Sequence, residues 1–341
     1  MKILITGGAG FIGSNLTRYL LDQGHAVTVV DNLITGRIEN VEPFLKMSNF
    51  NFFRCSVEQE EFKQLFDRSK GCFDQIYHLA CPTGVPNIEK LGDEILSVCS
   101  SGTFNVINLA ADTGAKLLFT SSSEIYGQPE VFPQRESYTG NVNPIGERAN
   151  YEEGKRFSET LVQRFVKTHG MQGKIVRLFN VYGPNMSLTD RRVIPQFAVQ
   201  ALSNEPLTVQ GKGKQRRTFC YVSEIITSLE MVMEKGVVGK AYNLGSDKEI
   251  SMLSLAKLII ETTGSASKIS FVERPKHDHN GRLPDLGEIK ALGWVDRVKL
   301  REGISLTLDY FATQLKFNSK IEKLDNKILV IPGTNPREVY F

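Results

Sequence analysis

Residues 2–13 read Lys-Ile-Leu-Ile-Thr-Gly-Gly-Ala-Gly-Phe-Ile-Gly, a short apolar run followed by a glycine-rich turn. Gly7, Gly10 and Gly13 have the spacing G-x-x-G-x-x-G. The first glycine permits a tight turn, the second lets a pyrophosphate approach the backbone, and the third lets the next helix pack closely on the strand. The free amides at the start of that helix attract phosphate. The stretch therefore predicts a strand, a dinucleotide-binding turn and a helix.

An acidic residue follows at the expected distance. The apolar run at residues 26–31 ends in Asp31, about 20 residues beyond the glycines. A carboxylate at the end of the second strand accepts a hydrogen bond from the ribose 2′-hydroxyl of NAD and repels the 2′-phosphate of NADP. Asp31 therefore favours NAD as the cofactor.

The first half of the chain alternates apolar runs with stretches of helical spacing, such as residues 15–23. Continuous rather than alternating apolarity is typical of strands that are covered on both faces. Strands separated by helices form right-handed βαβ units. We therefore predict an α/β fold with a doubly wound parallel Rossmann sheet. Its strands are expected at residues 2–6, 26–31, 52–55, 75–79, 116–120 and 174–179.

Composition excludes several classes of protein. The chain has 341 residues, 41% of them hydrophobic and 23% charged, which is ordinary for a globular protein. A net charge of +3 gives no electrostatic reason to expect nucleic acid, and no apolar run is long enough to span a membrane. The five cysteines lack paired metal spacing. We expect no bound metal and a reduced, cytoplasmic location.

The character of the sequence changes after about residue 180, where Gly183-Pro184 and other turn signals punctuate shorter elements. We predict a NAD-binding domain over residues 1–180 and a smaller substrate-binding domain over 181–314, with some exchange of chain between them. Helices are expected at Met252–Thr263 and 300–314. The tail, residues 315–341, is predicted to be a polar linker followed by an apolar run at 328–331. We expect that run to dock on its own subunit or on a partner.

A second motif carries chemistry. Tyr151 and Lys155 are four residues apart and share one helical face. The pKa of a free tyrosine is about 10, and a neighbouring ammonium and an oxidised nicotinamide both lower it, which makes the phenolate a usable base. Upstream, residues 121–123 are three serines at the end of a predicted strand, where doubly wound sheets bind ligands. The pattern favours oxidation of a substrate alcohol.

These motifs together resemble the extended short-chain dehydrogenase/reductase family. The resemblance covers about residues 1–313 and is greatest to its UDP-glucuronate decarboxylases. It rests on the glycine turn, Asp31-Asn32, and the stretches at 78–80, 121–127, 141–146, 151–156, 179–184, 205–210, 219–223 and 282–285. The family's enzymes are usually homodimers joined by a four-helix bundle, which here would use helices near 93–111 and 151–169.

The resemblance implies specific catalytic roles. Tyr151 would remove the proton of the sugar C4 hydroxyl, and Lys155 would tune it and hold the nicotinamide ribose. Ser122 would share the C4 oxygen. Glu124 matches the acid that is characteristic of the decarboxylases. Arg282 would face C5 of the sugar from the second domain.

Binding residues carry over in the same way. The NAD contacts implied by the motifs are Gly7, Gly10, Phe11, Ile12, Gly13, Asp31, Asn32, Thr35, Gly36, Leu79, Ala80, Tyr151 and Lys155. The UDP-sugar contacts implied are Ser123, Asn180, Arg217, Tyr221 and Arg282.

Some positions depart from the pattern of the decarboxylases. Ser56 stands where the family has an aspartate, Cys99 where it has an asparagine, and Asn185 where it has an arginine. Cys81 and Cys99 are interpreted as small buried residues. The departures keep other sugars open as substrates.

Two other functions stay open at this point. The first is another nucleotide-sugar oxidoreductase, either a 4-epimerase or a 4,6-dehydratase. Ser123-Glu124 argues against the dehydratase, which would have Asp-Glu at these positions. The second is a catalytically silent NAD-binding sensor or scaffold, against which the intact Ser122, Tyr151 and Lys155 argue.

Overall fold

A computed structural model describes residues 1–66, 73–273 and 281–328 of the protein, with side chains except at residue 85 and residues 317–328. In chain order the strands are β1 Lys2–Thr6, β2 Ala26–Val30, β3 Phe50–Phe53, β4 Gln75–His78, β5 Lys116–Ser122, β6 Gly173–Leu178, β7 Val181–Tyr182, β8 Leu207–Gln210, β9 Arg216–Thr218, β10 Cys220–Tyr221, β11 Ala241–Leu244, β12 Glu249–Ser251 and β13 Ile269–Val272.

Helices connect these strands. They are α1 Phe11–Asp22, α2 Glu60–Leu65, α3 Val85–Lys90, α4 Gly92–Ser97, α5 Thr103–Thr113, α6 Ala149–His169, α7 Val193–Leu202, α8 Val222–Lys235, α9 Met252–Thr263, α10 Gly287–Ala291 and α11 Leu300–Ile328. A π-helical turn, Val98–Gly102, joins α4 to α5.

The central sheet has seven strands in the order β11-β6-β5-β4-β1-β2-β3, and every neighbouring pair is parallel. The chain runs from β1 outward through β2 and β3, and then returns to place β4 on the other side of β1. This reversal of direction leaves a crevice at the carboxyl ends of β1 and β4, the place where doubly wound sheets bind ligands. The predicted fold class is confirmed.

Burial explains why the strands were readable from the sequence. Ile3, Leu4 and Ile5 of β1 are completely buried, as are Ile76 and Tyr77 of β4. Successive residues of these strands point to opposite faces, so burial of all of them means that helices cover both faces of the sheet. Predicted and observed strand bounds differ by two residues at most.

The second half of the chain was less predictable. Its strands β7–β10, β12 and β13 form three two-stranded sheets of two to four residues per strand. The strand β11 instead returns to the central sheet and pairs with β6. No apolar run singled out in the sequence predicted this seventh strand.

The end of the chain differs from the prediction. The helix Met252–Thr263 is observed as expected, but α11 runs to Ile328 instead of ending at residue 314. The linker prediction is therefore wrong for residues 315–328, which contain no glycine or proline to end the helix. Residues 329–331 of the apolar run lie outside the described residues, so its docking stays a prediction.

Candidate active site

A cleft of about 1600 Å³ opens at the carboxyl ends of the central strands. One wall comes from the glycine turn and the loops that follow β2, β4 and β5. The other comes from the second half of the chain, including Asn180, Arg217 and Arg282. The cleft therefore collects nearly all of the residues that the motifs singled out.

The glycine turn has the close contacts that its spacing predicts. Gly7 has a φ of +75°, and a Cβ on it would lie 2.7 Å from the backbone nitrogen of Ala80. A Cβ on Gly13 would lie 2.2 Å from the carbonyl oxygen of Gly7. Both clashes are with backbone atoms, which cannot rotate away. Only glycine therefore allows this turn, which leaves the start of α1 open to a pyrophosphate.

Asp31 lies at the floor of the same part of the cleft. One of its carboxylate oxygens accepts a hydrogen bond from the Ala9 amide at 3.0 Å, and the other accepts one from the Leu33 amide at 2.9 Å. Each oxygen keeps a lone pair for a ribose hydroxyl. The remaining predicted cofactor contacts line the cleft with it: Phe11, Ile12, Asn32, Thr35, Gly36, Leu79 and Ala80.

Tyr151 and Lys155 face the cleft from α6. The ammonium of Lys155 donates a hydrogen bond to the carbonyl oxygen of Thr120 at 2.9 Å, and Tyr151 and Ser122 line the cleft beside it. The Ser122 hydroxyl also accepts a hydrogen bond from the Glu124 amide at 3.2 Å. The three predicted groups of the oxidation site therefore lie together at the end of β5.

The electrostatics of Tyr151 differ from the expectation. Burial raises the pKa of Tyr151 to about 12, and the neighbouring Lys155 ammonium only partly offsets this effect. Desolvation of the phenolate outweighs the nearby positive charge because Tyr151 is only 7% exposed. Lys155 alone does not produce the lowered pKa that the sequence suggested.

Glu124 is held by two guanidinium groups. Its Oε2 lies 2.6 Å from Nη2 of Arg148 and 3.1 Å from Nη2 of Arg282. Arg282 also donates hydrogen bonds to the carbonyl oxygens of Ser123 and Gly127. Because Arg282 is 5% exposed, this is a buried interaction and not a surface ion pair.

Sequence reasoning missed two members of this cluster. Arg148, which ends the loop before α6, pairs with Glu124 and lies 3.7 Å from the carboxylate of Glu152. Burial and the charge of Glu124 raise the pKa of Glu152 to about 7. The sequence did contain a signal for both residues, because Glu152 directly follows Tyr151 and Arg148 is three residues before Tyr151.

Most of the predicted substrate contacts line the cleft, and Tyr221 does not. Ser123, Asn180 and Arg217 line the cleft, and the side-chain amide of Asn180 donates a hydrogen bond to the Thr218 carbonyl at 3.1 Å. Tyr221 is not among the lining residues. Its ring packs against that of Tyr182, with the ring centroids 5.7 Å apart.

The structure describes the ranges 1–66, 73–273 and 281–328. They contain no cluster of three or more His, Cys, Asp or Glu side chains that could hold a metal ion. No helix among them is long and apolar enough to cross a membrane.

Comparison with known proteins identifies the family. Residues 3–245 match the NAD dependent epimerase/dehydratase family. The chain belongs to this family. Membership confirms NAD as the cofactor of the protein, in agreement with the glycine turn and Asp31.

Similar proteins include decarboxylases and a 4-epimerase. UDP-glucuronic acid decarboxylase 1 of Xenopus tropicalis is 43% identical over 92% of this chain and 73% of its own length. UDP-glucuronic acid decarboxylase 6 of Arabidopsis thaliana is 42% identical over 92% and 90%. The solved UDP-glucose 4-epimerase of Thermotoga maritima is 29% identical, with a TM-score of 0.84, and covers 92% of this chain and 100% of its own.

The position of Asp31 predicts discrimination between the two nicotinamide cofactors. We expect the wild-type protein to bind NAD more tightly than NADP. Asp31→Ser removes the repulsion of a 2′-phosphate, so the ratio of the two dissociation constants should fall by about tenfold or more. Calorimetric titration with each cofactor measures this ratio, and Asp22→Ser on exposed α1 surface is the matched control. Equal affinities in the wild-type protein would contradict the assignment.

Glu152 predicts a pH-dependent stability. Its folded pKa of about 7 exceeds the ordinary value of 4.5, so the folded state holds its proton more tightly than the unfolded state. The free energy of unfolding should therefore fall as the pH rises from 4.5 to 7, by about 3 kcal/mol.

Glu152→Gln should remove this slope, which urea denaturation at several pH values measures. Glu153→Gln, which changes the more exposed neighbouring carboxylate, should retain it. A slope that persists in Glu152→Gln would mean that another group titrates.

Proposed function

We propose that the protein converts UDP-glucuronate into UDP-xylose and CO2 with tightly held NAD. The observation that carries the proposal is the buried Glu124–Arg282 pair at the cleft beside Tyr151. A 4-epimerase needs only the oxidation site, whereas removal of a carboxylate needs groups that hold and orient it. Curated decarboxylases that are 39–43% identical over about 92% of the chain support the same reaction.

The chemistry explains why an oxidation site serves a decarboxylase. A carboxylate at C5 of the sugar does not leave readily, because no group accepts its electron pair. NAD held by the glycine turn and Asp31 would supply the acceptor for the C4 hydride and its later return to the sugar. With a ketone at C4 the acid becomes a β-keto acid, and the electron pair of the C5–carboxylate bond moves into an enolate. Protonation at C5 then completes the decarboxylation.

The oxidation site would act through three side chains. Tyr151 takes the proton of the C4 hydroxyl, and Ser122 donates a hydrogen bond to the C4 oxygen. Both groups then stabilise the negative charge that the enolate places on that oxygen. Lys155, fixed by the Thr120 carbonyl, supplies a positive charge that favours the phenolate and binds the cofactor ribose.

Glu124 and Arg282 would act on the carboxylate of the sugar. A planar guanidinium matches a carboxylate better than an ammonium does. Arg282 is already oriented by two backbone carbonyls and by Glu124. Glu124 keeps the guanidinium in place, and Arg148 limits the negative charge of Glu124 that the substrate meets. Ser123, 5% exposed at the cleft, stands beside the departing group.

The nucleotide would bind in the other wall of the cleft. We propose that Arg217 holds the diphosphate and that Asn180 contacts the sugar nucleotide. Residues 1–180 would then form the NAD-binding part, residues 181–314 the part that binds the nucleotide sugar, and residues 315–341 the tail. Because Tyr221 packs on Tyr182, its proposed contact with the substrate has the least structural support.

We also propose that the protein is a cytoplasmic homodimer. Leu96 on α4, Phe104 on α5 and Phe157 on α6 are each 45–50% exposed. Large apolar side chains on adjacent helices support a four-helix bundle with the same helices of a second copy. Four free cysteines in the described residues are compatible with a reduced compartment.

One experiment tests the reaction. The purified protein is incubated with UDP-glucuronate and NAD, and the products are analysed by mass spectrometry and by NMR, which distinguishes the C4 epimers. We expect CO2 and UDP-xylose. UDP-galacturonate as the product would instead identify a 4-epimerase, and an unchanged substrate that binds without reaction would identify a silent binding protein.

Tyr151→Phe tests the base. The ring keeps its packing and only the hydroxyl is lost, so binding of the nucleotide sugar should change little. The rate of C4 oxidation should fall by about 10²–10⁴-fold, the usual effect of losing a positioned base. Stopped-flow absorbance of NADH measures this rate, and Tyr138→Phe is a control on another aromatic hydroxyl. Turnover near the wild-type value would mean that the base is another residue.

Glu124→Ala and Arg282→Ala test the carboxylate site separately from the oxidation site. Each variant should suppress CO2 release more than C4 oxidation. NADH should therefore form with UDP-glucuronate and fail to discharge normally. Trapped CO2 and NADH absorbance, followed in the same reaction, measure the two steps, and Arg135→Ala on an exposed ion pair is the control. Near-normal CO2 release from both variants would favour the epimerase reading of this site.

A further inference from the structure

Two cysteines lie next to the catalytic helix and have no role in the proposed reaction. Cys81 follows β4 and lines the cleft. Cys99, in the π-helical turn between α4 and α5, is 2% exposed. Their sulfur atoms are 3.8 Å apart and share a hydrogen bond. The two thiols are in contact, one open to the cleft and one buried. Unlike isolated buried cysteines, they can react with each other.

The two cysteines pack against the helix that carries Tyr151 and Lys155. Cys81, Cys99 and Tyr151 belong to one apolar cluster. A Cβ on Gly154, the residue before Lys155, would lie 3.2 Å from the sulfur of Cys99, so Cys99 packs directly on α6. A movement of these sulfur atoms would therefore shift α6 and its catalytic side chains.

We propose that Cys81 and Cys99 are an oxidisable dithiol, and that hydrogen peroxide converts it into a disulfide that switches the enzyme off. The sulfurs need to approach from 3.8 Å to about 2.05 Å. Cys81 lies in a segment without helix or strand, at residues 79–84, whereas Cys99 is fixed by a helical turn. We therefore expect most of the movement in residues 79–84, which form part of the cleft wall.

The electrostatic setting makes the two sulfurs unlike. The hydrogen bond from Cys81 and the positive charge of Lys155 lower the pKa of the Cys99 thiol to about 6, although burial opposes this effect. The thiolate is the form of cysteine that attacks sulfur. The same hydrogen bond, together with burial, raises the pKa of the Cys81 thiol, so Cys99 is the thiolate of the pair and Cys81 keeps the shared proton.

The reaction balances with peroxide alone. As its thiol proton passes to the Cys99 thiolate along their hydrogen bond, the Cys81 sulfur attacks one peroxide oxygen and the O–O bond breaks. The hydroxide that leaves takes a proton from solvent, which gives a sulfenic acid and one water. The Cys99 sulfur then attacks the Cys81 sulfur, the S–S bond forms, and the S–O bond breaks. The hydroxide leaves as a second water with the remaining thiol proton. Two thiols are oxidised by two electrons, and one peroxide is reduced to two waters.

Closure of the disulfide would affect catalysis in two ways. It pulls the segment that contains Leu79 and Ala80 towards the π-helical turn, and both residues line the cleft beside the glycine turn. It also removes the negative charge that the sulfur pair presents to Lys155. We therefore expect activity to fall by about tenfold or more and to return when the disulfide is reduced.

The test combines a chemical and a catalytic readout on the full-length protein. The protein is treated with hydrogen peroxide, its remaining thiols are alkylated, and its peptides are analysed by mass spectrometry. We expect a crosslink between the peptides of Cys81 and Cys99, parallel loss of decarboxylase activity, and recovery of both with dithiothreitol. Cys81→Ala and Cys99→Ala, each compared with its own untreated sample, should resist inactivation, while Cys55→Ser should behave as the wild-type protein does.

Several results would overturn the proposal: sulfinic acid at Cys81 without a crosslink, a crosslink to another cysteine, or a Cys81–Cys99 crosslink that leaves activity unchanged. The loss of activity rests on the proposed function, but the crosslink does not. A crosslink in a protein that shows no decarboxylase activity even when reduced would therefore identify failure of the functional proposal and not of the dithiol.

Discussion

The buried ion pair between Glu124 and Arg282 joins the two walls of the cleft. Arg282 belongs to the second half of the chain, yet its guanidinium bonds to Glu124 and to the carbonyl oxygens of Ser123 and Gly127 in the first half. Breaking one partner of a buried ion pair costs about 3–5 kcal/mol, because a charge is left without compensation. The position of Arg282 against the segment after β5 therefore depends on this contact, whereas Tyr151 and Lys155 are held by α6.

The central sheet positions the oxidation site, and the Glu124–Arg282 pair positions the groups proposed to bind the carboxylate. The reversal of strand order between β1 and β4 creates the crevice, and the glycine turn keeps it open at the start of α1. Helix α6 then brings Tyr151 and Lys155 to the end of β5. The oxidation site thus lies on rigid elements. The groups proposed to handle the carboxylate come from loops that only the tertiary fold brings together.

Sequence patterns predicted the first half of the fold well because its strands are buried on both faces and read as continuous apolar runs. They did not predict β11, which pairs with β6 although about 60 residues separate the two strands in the sequence. They also predicted a linker at residues 315–328, where the structure has a polar helix. Tyr151, Lys155 and Ser122 were found because the motif spacing is local. Arg148 was missed because its significance lies in a contact across 24 residues, to Glu124. Spacing revealed the Lys155 charge, which lowers the pKa of Tyr151, but not the burial, which raises it.

The central claim is that the C4 hydrogen is removed and returned within the protein, while C5 exchanges its carboxylate for a proton. The most direct measurement is conversion of UDP-glucuronate in D2O with unlabelled NAD, followed by NMR of the product. We expect UDP-xylose with one deuterium at C5 and none at C4. Deuterium at C4, or a product that keeps its carboxylate, would contradict it.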